Sequence, residues 1–274
     1  MTAEYPYSCE LSRPATTVVI DTDGGDMVGR RWQARAILGT VCSVALLAVS
    51  ACSRDGATSP KTVRELAGST EAVRAREQVE QGIRKAITQW DAHTPLALGL
   101  VTVDDSCMGG RAKEWFFQDG DDQYKIRCTM HVDAYFGASP HHVSDTIDGI
   151  LTAGDPDGSL IPFGHDFIYA TKVVAYYRGK TGDPQGPGTG EPRELFAAGT
   201  VTLNWDQVRQ KGKRELIEEP PACFPGAPPV HRCLREPAAT SVTDIRRKYG
   251  MVFKVSFPSS EYFKVYKDGQ TVSL

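Results

Sequence analysis

The sequence predicts an α+β fold. We expect an antiparallel sheet of about five to seven strands, two main helices packed on one of its faces, and disulfide stabilisation. Two observations carry this. Residues 124–134 alternate strictly: Tyr124, Ile126, Cys128, Met130, Val132 and Ala134 on one face; Lys125, Arg127, Thr129, His131 and Asp133 on the other. That is the pattern of a half-buried antiparallel strand. The order of segments is helix, strands, helix, strands, and not the βαβα alternation of a parallel sheet.

Taken in order, Ser69 or Thr70 can cap a helix running to about Trp90. Val73, Val79, Ile83, Ile87 and Trp90 form its stripe, interrupted at Arg76, and Pro95 ends it. Leu96 to Val103 is an apolar strand. Glu114 to Phe117 reads as a second strand, joined to 124–134 by the turn Asp119-Gly120-Asp121-Asp122. Ser139-Pro140 should open a helix, with serine as N-cap and proline at the first helical position; Val143, Ile147, Ile150 and Leu151 form its stripe. Residues 166–178 read as a strand, with 194–204 as a hairpin partner across the Gly/Pro-rich segment 179–192. Residues 218–237 form a proline-rich excursion. A short helix near 241–248 precedes an alternating strand, Met251 to Phe257; Pro258-Ser259-Ser260 turns into a last strand, 261–267.

Upstream of this domain, Arg30, Arg31 and Arg35 form a basic region and Ala36 to Val49 an apolar run of 14 residues; Ser50, Ala51 and Cys52 follow. The run is shorter than the roughly 20 residues a membrane helix needs and has the layout of an export signal. Val49-Ser50-Ala51-Cys52 resembles the lipobox of bacterial envelope lipoproteins. The resemblance covers residues 27–52 only. It implies acylation of Cys52, cleavage before it, and anchoring to the extracytoplasmic face of the cell membrane. It says nothing about activity. Cleavage by ordinary signal peptidase after Ala51 is the alternative. Residues 1–26 carry five acidic residues and one basic residue, which a signal peptide does not need. Met27 is therefore expected to be the true start, with 1–26 an extension of the gene model. Residues 52–68 read as a flexible tether and 69–274 as one domain.

The export reading sorts the cysteines. Cys107, Cys128, Cys223 and Cys233 remain in the exported domain, where an even number implies disulfides. Of three pairings, the local ones, Cys107–Cys128 and Cys223–Cys233, are expected. A four-cysteine zinc site would need C-x₂-C spacing, which is absent, and no metal or cofactor is expected. Cys52 to Leu274 holds 27 basic and 29 acidic residues. A near-neutral chain without a basic stripe is a poor nucleic-acid partner. A single asparagine, Asn204, with arginine exceeding lysine, suggests a GC-rich, actinobacterial source.

Chemistry-bearing candidates are few. His165-Asp166 sits at a loop edge, and His131-x-Asp133 lies on the polar face of the alternating strand, its side chains about 7 Å apart. His141 and His142 point about 100° apart on a helix and read as surface residues. No H-E-x-x-H, G-x-S-x-G, S-x-x-K or P-loop occurs. Trp115, Phe116, Phe117, Tyr135, Phe136, Tyr176, Tyr177, Tyr262 and Tyr266 lie at or near strand ends; adjacent pairs such as Tyr176-Tyr177 should leave some aromatic surface exposed. The expectation is a non-enzymatic, lipid-anchored protein that binds another protein or an envelope component, with 218–237 and the exposed aromatics as contact surfaces. The alternative is an envelope hydrolase using His165 and Asp166, with His131.

Overall fold

The computed structural model describes residues 56–112, 120–179, 190–197, 201–209, 212–222 and 228–274. The export segment with Cys52, the strand expected over 114–117, the aromatics Trp115, Phe116 and Phe117, and Cys223 lie outside the described residues.

The fold is α+β. Its elements are α1 (Pro60–Ala67), α2 (Thr70–His93), β1 (Ala97–Gly109), β2 (Tyr124–Ala138), α3 (Val143–Gly154), α4 (Ile168–Tyr177), β3 (Glu194–Phe196), β4 (Thr202–Trp205), β5 (Val230–Glu236), α5 (Val242–Tyr249), β6 (Met251–Tyr266) and β7 (Thr271–Ser273). The seven strands form one sheet in the order β3-β4-β6-β2-β1-β5, with β7 also paired to β6, and every pairing is antiparallel.

Alternation along the strands divides the apolar residues between the two faces. Ala134, Phe136, Met251 and Phe253 join one large core with residues of α1, α2, α3 and α4. Tyr135, Val252 and Leu100 join a smaller core with Val242 and Ile245 of α5. The helices therefore do not all lie on one face: α5 covers the second. In α2 the sheet-facing positions include Ala72, Ala75 and Ala86, small enough for close approach, and Trp90 packs against Phe136 and Phe163. Gly137 lets α5 close down, because a Cβ there would meet the Tyr249 ring at 2.1 Å. Cys107 and Cys128 are register partners on β1 and β2 and form a buried disulfide. Closing a loop of this length contributes about 3 kcal/mol through the unfolded chain. Cys233 is disulfide-bonded as well.

Several expectations need correction. The tether expected over 52–68 holds a helix: Ser59 Oγ accepts from Thr62 N, Pro60 occupies the first turn, and Val63 and Ala67 are buried. Few apolar residues are needed because only one side of α1 touches the sheet. The strand expected over 166–178 is helix α4, whose buried residues Ala170, Val173, Val174 and Tyr177 are spaced by three, one and three; the same run also satisfies a period of two. Residues 194–204 do not pair with it; β3 and β4 pair with each other and β4 joins β6. The edges of β2 are paired with β1 and β6; the hairpin partner expected at 113–118 lies outside the described residues. Helix α3 starts at Val143, after a turn closed by His142 N donating to Ser139 O. No turn breaks β6 at Pro258; register shifts opposite Met130/Val132 absorb the extra residues as a bulge. Part of the 218–237 excursion is edge strand β5.

Because α1 is part of the core, Val63→Ala should cost about 2 kcal/mol in urea-unfolding experiments. A flexible tether would show no change.

Candidate functional site

The expected histidine candidates do not meet. His165 lies in the loop between α3 and α4. Its backbone N and Nδ1 contact the two carboxylate oxygens of Asp155, each at 2.7 Å, and its Nε2 lies 3.3 Å from Asp148 Oδ1. Asp148 also pairs with Arg178 at 3.0 Å. Both ring nitrogens are thus engaged in clamping the loop onto α3. The Asp155 carboxylate raises the His165 pKa above its ordinary value. Asp166 is exposed beside it. His131 projects from β2 on the opposite face of the sheet, with Tyr135. No acid–base pair forms between the two.

Some aromatic surface is exposed among the described residues, at Phe196 and in part at Tyr176 and Tyr266, but most of the expected rings are covered. Tyr135, Phe136, Tyr177 and Tyr262 are buried. Tyr135 and Phe136 do point to opposite faces, but α5 and its neighbours cover the second one. Tyr176 and Tyr177 sit on a helix, edge to face at 5.2 Å.

What the structure does assemble is a groove on the α5 face. An irregular segment, residues 214–222, crosses the polar side of the sheet as a strap. It encloses two cavities of about 390 and 370 Å³ that share Asp133, Pro220 and Pro221. The first also borders Tyr135, Asn204, Leu216 and Lys254; the second borders Thr102, His131, Leu234 and Arg235. The polar stripe of β2 forms the floor.

The strap is held at four points. Gln207 N donates to Glu215 O, and Glu215 N to Gln207 Oε1. Arg193 pairs with Glu215. Ile217 N donates to Asp206 Oδ1 at 2.7 Å, while Arg246 bridges Asp206 and Ile217 O. Glu219 accepts from Val242 N and Thr243 N at the start of α5 and from Arg235, so a strap residue caps the helix on the groove's far side. These contacts shape the groove.

At its centre Asp133 faces His131 Nε2 at 3.3 Å and Lys254 Nζ at 3.9 Å. Asp133 Oδ1 is buried and accepts no well-aligned hydrogen bond. Burial alone would raise the Asp133 pKa; His131, Ser256 and Lys254 outweigh it and hold the carboxyl below its ordinary value. The same carboxylate raises His131 against the effect of burial. Burial, then the Asp133 charge, raises the Tyr135 phenol.

Among the groove-lining residues Thr102 is the one aliphatic hydroxyl, and Cys233 is disulfide-bonded. The charges are largely paired across the groove. The arrangement can bind by shape, hydrogen bonds and charge; it places no nucleophile against a base. Among the described residues no group of three or more His, Cys, Asp or Glu could hold a metal ion, and no helix is long and apolar enough to cross a membrane. Sequence reasoning named His131 and Asp133 but missed Asp206, Glu219 and Arg246, since nothing local marks a carboxylate that will be buried by segments far along the chain. No protein-family model, curated protein or solved structure matches the chain.

The His131–Asp133 contact makes a signed prediction. His131, with its raised folded pKa, contributes stability fully below about pH 6.5 that is lost as pH rises through the folded value. Asp133, with its lowered pKa, contributes stability above about pH 3.9 that is lost as pH falls. The pair therefore stabilises most between roughly pH 4 and 6.5. In NMR titration, Asp133→Asn should lower the His131 pKa toward its ordinary value, whereas an unchanged pKa would contradict the contact.

Proposed function

We propose that this protein is a lipid-anchored envelope lipoprotein, acylated at Cys52 and held on the extracytoplasmic face of the cell membrane, whose domain binds another protein or an envelope component and catalyses nothing. The location rests on the lipobox-like Val49-Ser50-Ala51-Cys52 behind its basic and apolar regions. The binding role rests on one observation, the pre-shaped groove whose two cavities share Asp133, Pro220 and Pro221. Preorganisation lowers the entropic cost of holding a partner. Buried disulfide Cys107–Cys128 is consistent with an oxidising compartment. The hydrolase reading has no such support, since His165 is engaged by Asp155 and Asp148 and His131 lies on the other face.

Two experiments test the proposal. Metabolic labelling with a fatty-acid analogue should mark the wild type and not Cys52→Ala; continued labelling of the variant would refute Cys52 as the site. Leu216 borders the groove and is half-exposed, so Leu216→Arg should obstruct it with little effect on folding. A component recovered from cell envelopes with the wild-type mature protein should be lost with Leu216→Arg. Equal recovery with both would remove the groove from the account.

A further inference from the structure

We infer that the groove under the strap is a site for an α-amino acid with an aliphatic side chain, its ammonium set against Asp133 and its carboxylate against Lys254. This rests on the groove reading of the proposed function and names a ligand for it.

The polar face of the sheet brings two opposite charges side by side. Asp133 on β2 is the register partner of Ser256 on β6, and Tyr135 that of Lys254, so Asp133 and Lys254 are diagonal neighbours. Lys254 Nζ stands 3.9 Å from Asp133 Oδ2, too far for a hydrogen bond. Lys254 Nζ makes no hydrogen bond among the described residues, and its side chain is 29% exposed in the wall of the first cavity. An ammonium carries three donors, and a half-buried one gains from an acceptor that meets them. Asp133 lies in the wall that both cavities share, and its Oδ1 accepts no well-aligned hydrogen bond.

The other charges of the groove narrow the choice of ligand. Arg193 pairs with Glu215, Arg235 with Glu219, and Asp104 with His231. Glu218 borders the first cavity and makes no ion pair among the described residues. His131, 3.3 Å from Asp133, is cationic only when protonated. With His131 neutral, the centre of the groove is one carboxylate beside one ammonium. A simple anion drawn to Lys254 meets Asp133 and Glu218; a simple cation drawn to Asp133 meets Lys254. A ligand carrying both signs avoids either repulsion. In an α-amino acid the ammonium nitrogen and the carboxylate carbon are about 2.5 Å apart across one Cα. Laid antiparallel on the Asp133–Lys254 pair, each of its charges faces the opposite one. The second cavity, about 370 Å³, opens from the same Asp133 and is walled in part by Pro220, Pro221, Ala222 and Leu234. An aliphatic side chain placed there leaves water.

The test titrates the mature chain carrying Cys52→Ala with leucine, glycine, leucinamide and N-acetylleucine, followed by amide chemical shifts. Leucinamide keeps the ammonium alone and N-acetylleucine the carboxylate alone; they also stand for the two ends of a peptide. We expect leucine to shift Asp133, Tyr135, Leu216 and Leu234. Both blocked forms should bind about tenfold more weakly or worse, one charged contact being lost in each. Glycine should be weaker by a similar factor, for want of a side chain in the second cavity. Lys254→Gln should weaken leucine about tenfold, with urea unfolding confirming that it folds. Arg247→Gln, exposed on α5, should leave binding within about twofold. A blocked form that binds as well as leucine, glycine equal to leucine, shifts centred outside the groove, or no binding of leucine would each overturn the ligand. The comparison of probes on the unsubstituted groove stands even if Lys254→Gln fails to fold. Failure of leucine while an envelope component still depends on Leu216 overturns this ligand and leaves the groove. Failure of both overturns the groove as well.

Discussion

Asp206 is the constraint on which the groove depends. Its carboxylate is buried just past the end of β4, where a charge without partners would cost several kcal/mol. It accepts from Ile217 N, from Val252 N at the start of β6, and from two nitrogens of Arg246 on α5. Four donors from three chain segments thus converge on two oxygens. Burial makes each bond strong and makes the set interdependent, because losing one partner leaves charge uncompensated. The strap, α5 and the α5 face of the sheet are fixed relative to one another by this carboxylate, and the space between them is the groove.

Other carboxylates stabilise other irregular segments in the same way. Glu191, buried, accepts from Tyr177 OH, Val208 N and Arg209 N, joining α4 to the segment after β4. Asp105, buried beneath α2, accepts from Tyr262 OH and Arg232, and Arg232 also reaches Glu80 on α2. That chain of contacts pins edge strand β5 to the main helix. Glu191 thus satisfies two backbone donors outside the helices and strands, as buried amides require.

Legibility in the sequence followed the length scale of the forces involved. β2 and α2 were readable because their patterns are local: eleven alternating residues and a capped stripe. The Cys107–Cys128 bond followed from two cysteines near in sequence. Segment 166–178 was misread because its apolar residues satisfy periods of two and of 3.6 together. Helix α1 was overlooked because the polar composition of 53–68 outweighed the Ser59-Pro60 start signal. The groove was only half readable. His131 and Asp133 were visible on the polar face, but its roof is a strap with no period, held by Asp206 and Glu219 across separations of 11 and more residues.

The central claim is that a buried carboxylate, and not secondary structure, fixes the strap over the sheet. Amide hydrogen exchange at Ile217 tests it most directly. Ile217 lies outside every strand and helix, so its amide should be protected only through Asp206. The account predicts protection in the wild type comparable to that of Val252, and a loss of at least about tenfold at both amides in Asp206→Ala, with the β1–β2 ladder around Cys107 still protected. An Ile217 amide that exchanges freely in the wild type, or one that keeps its protection without Asp206, would contradict it.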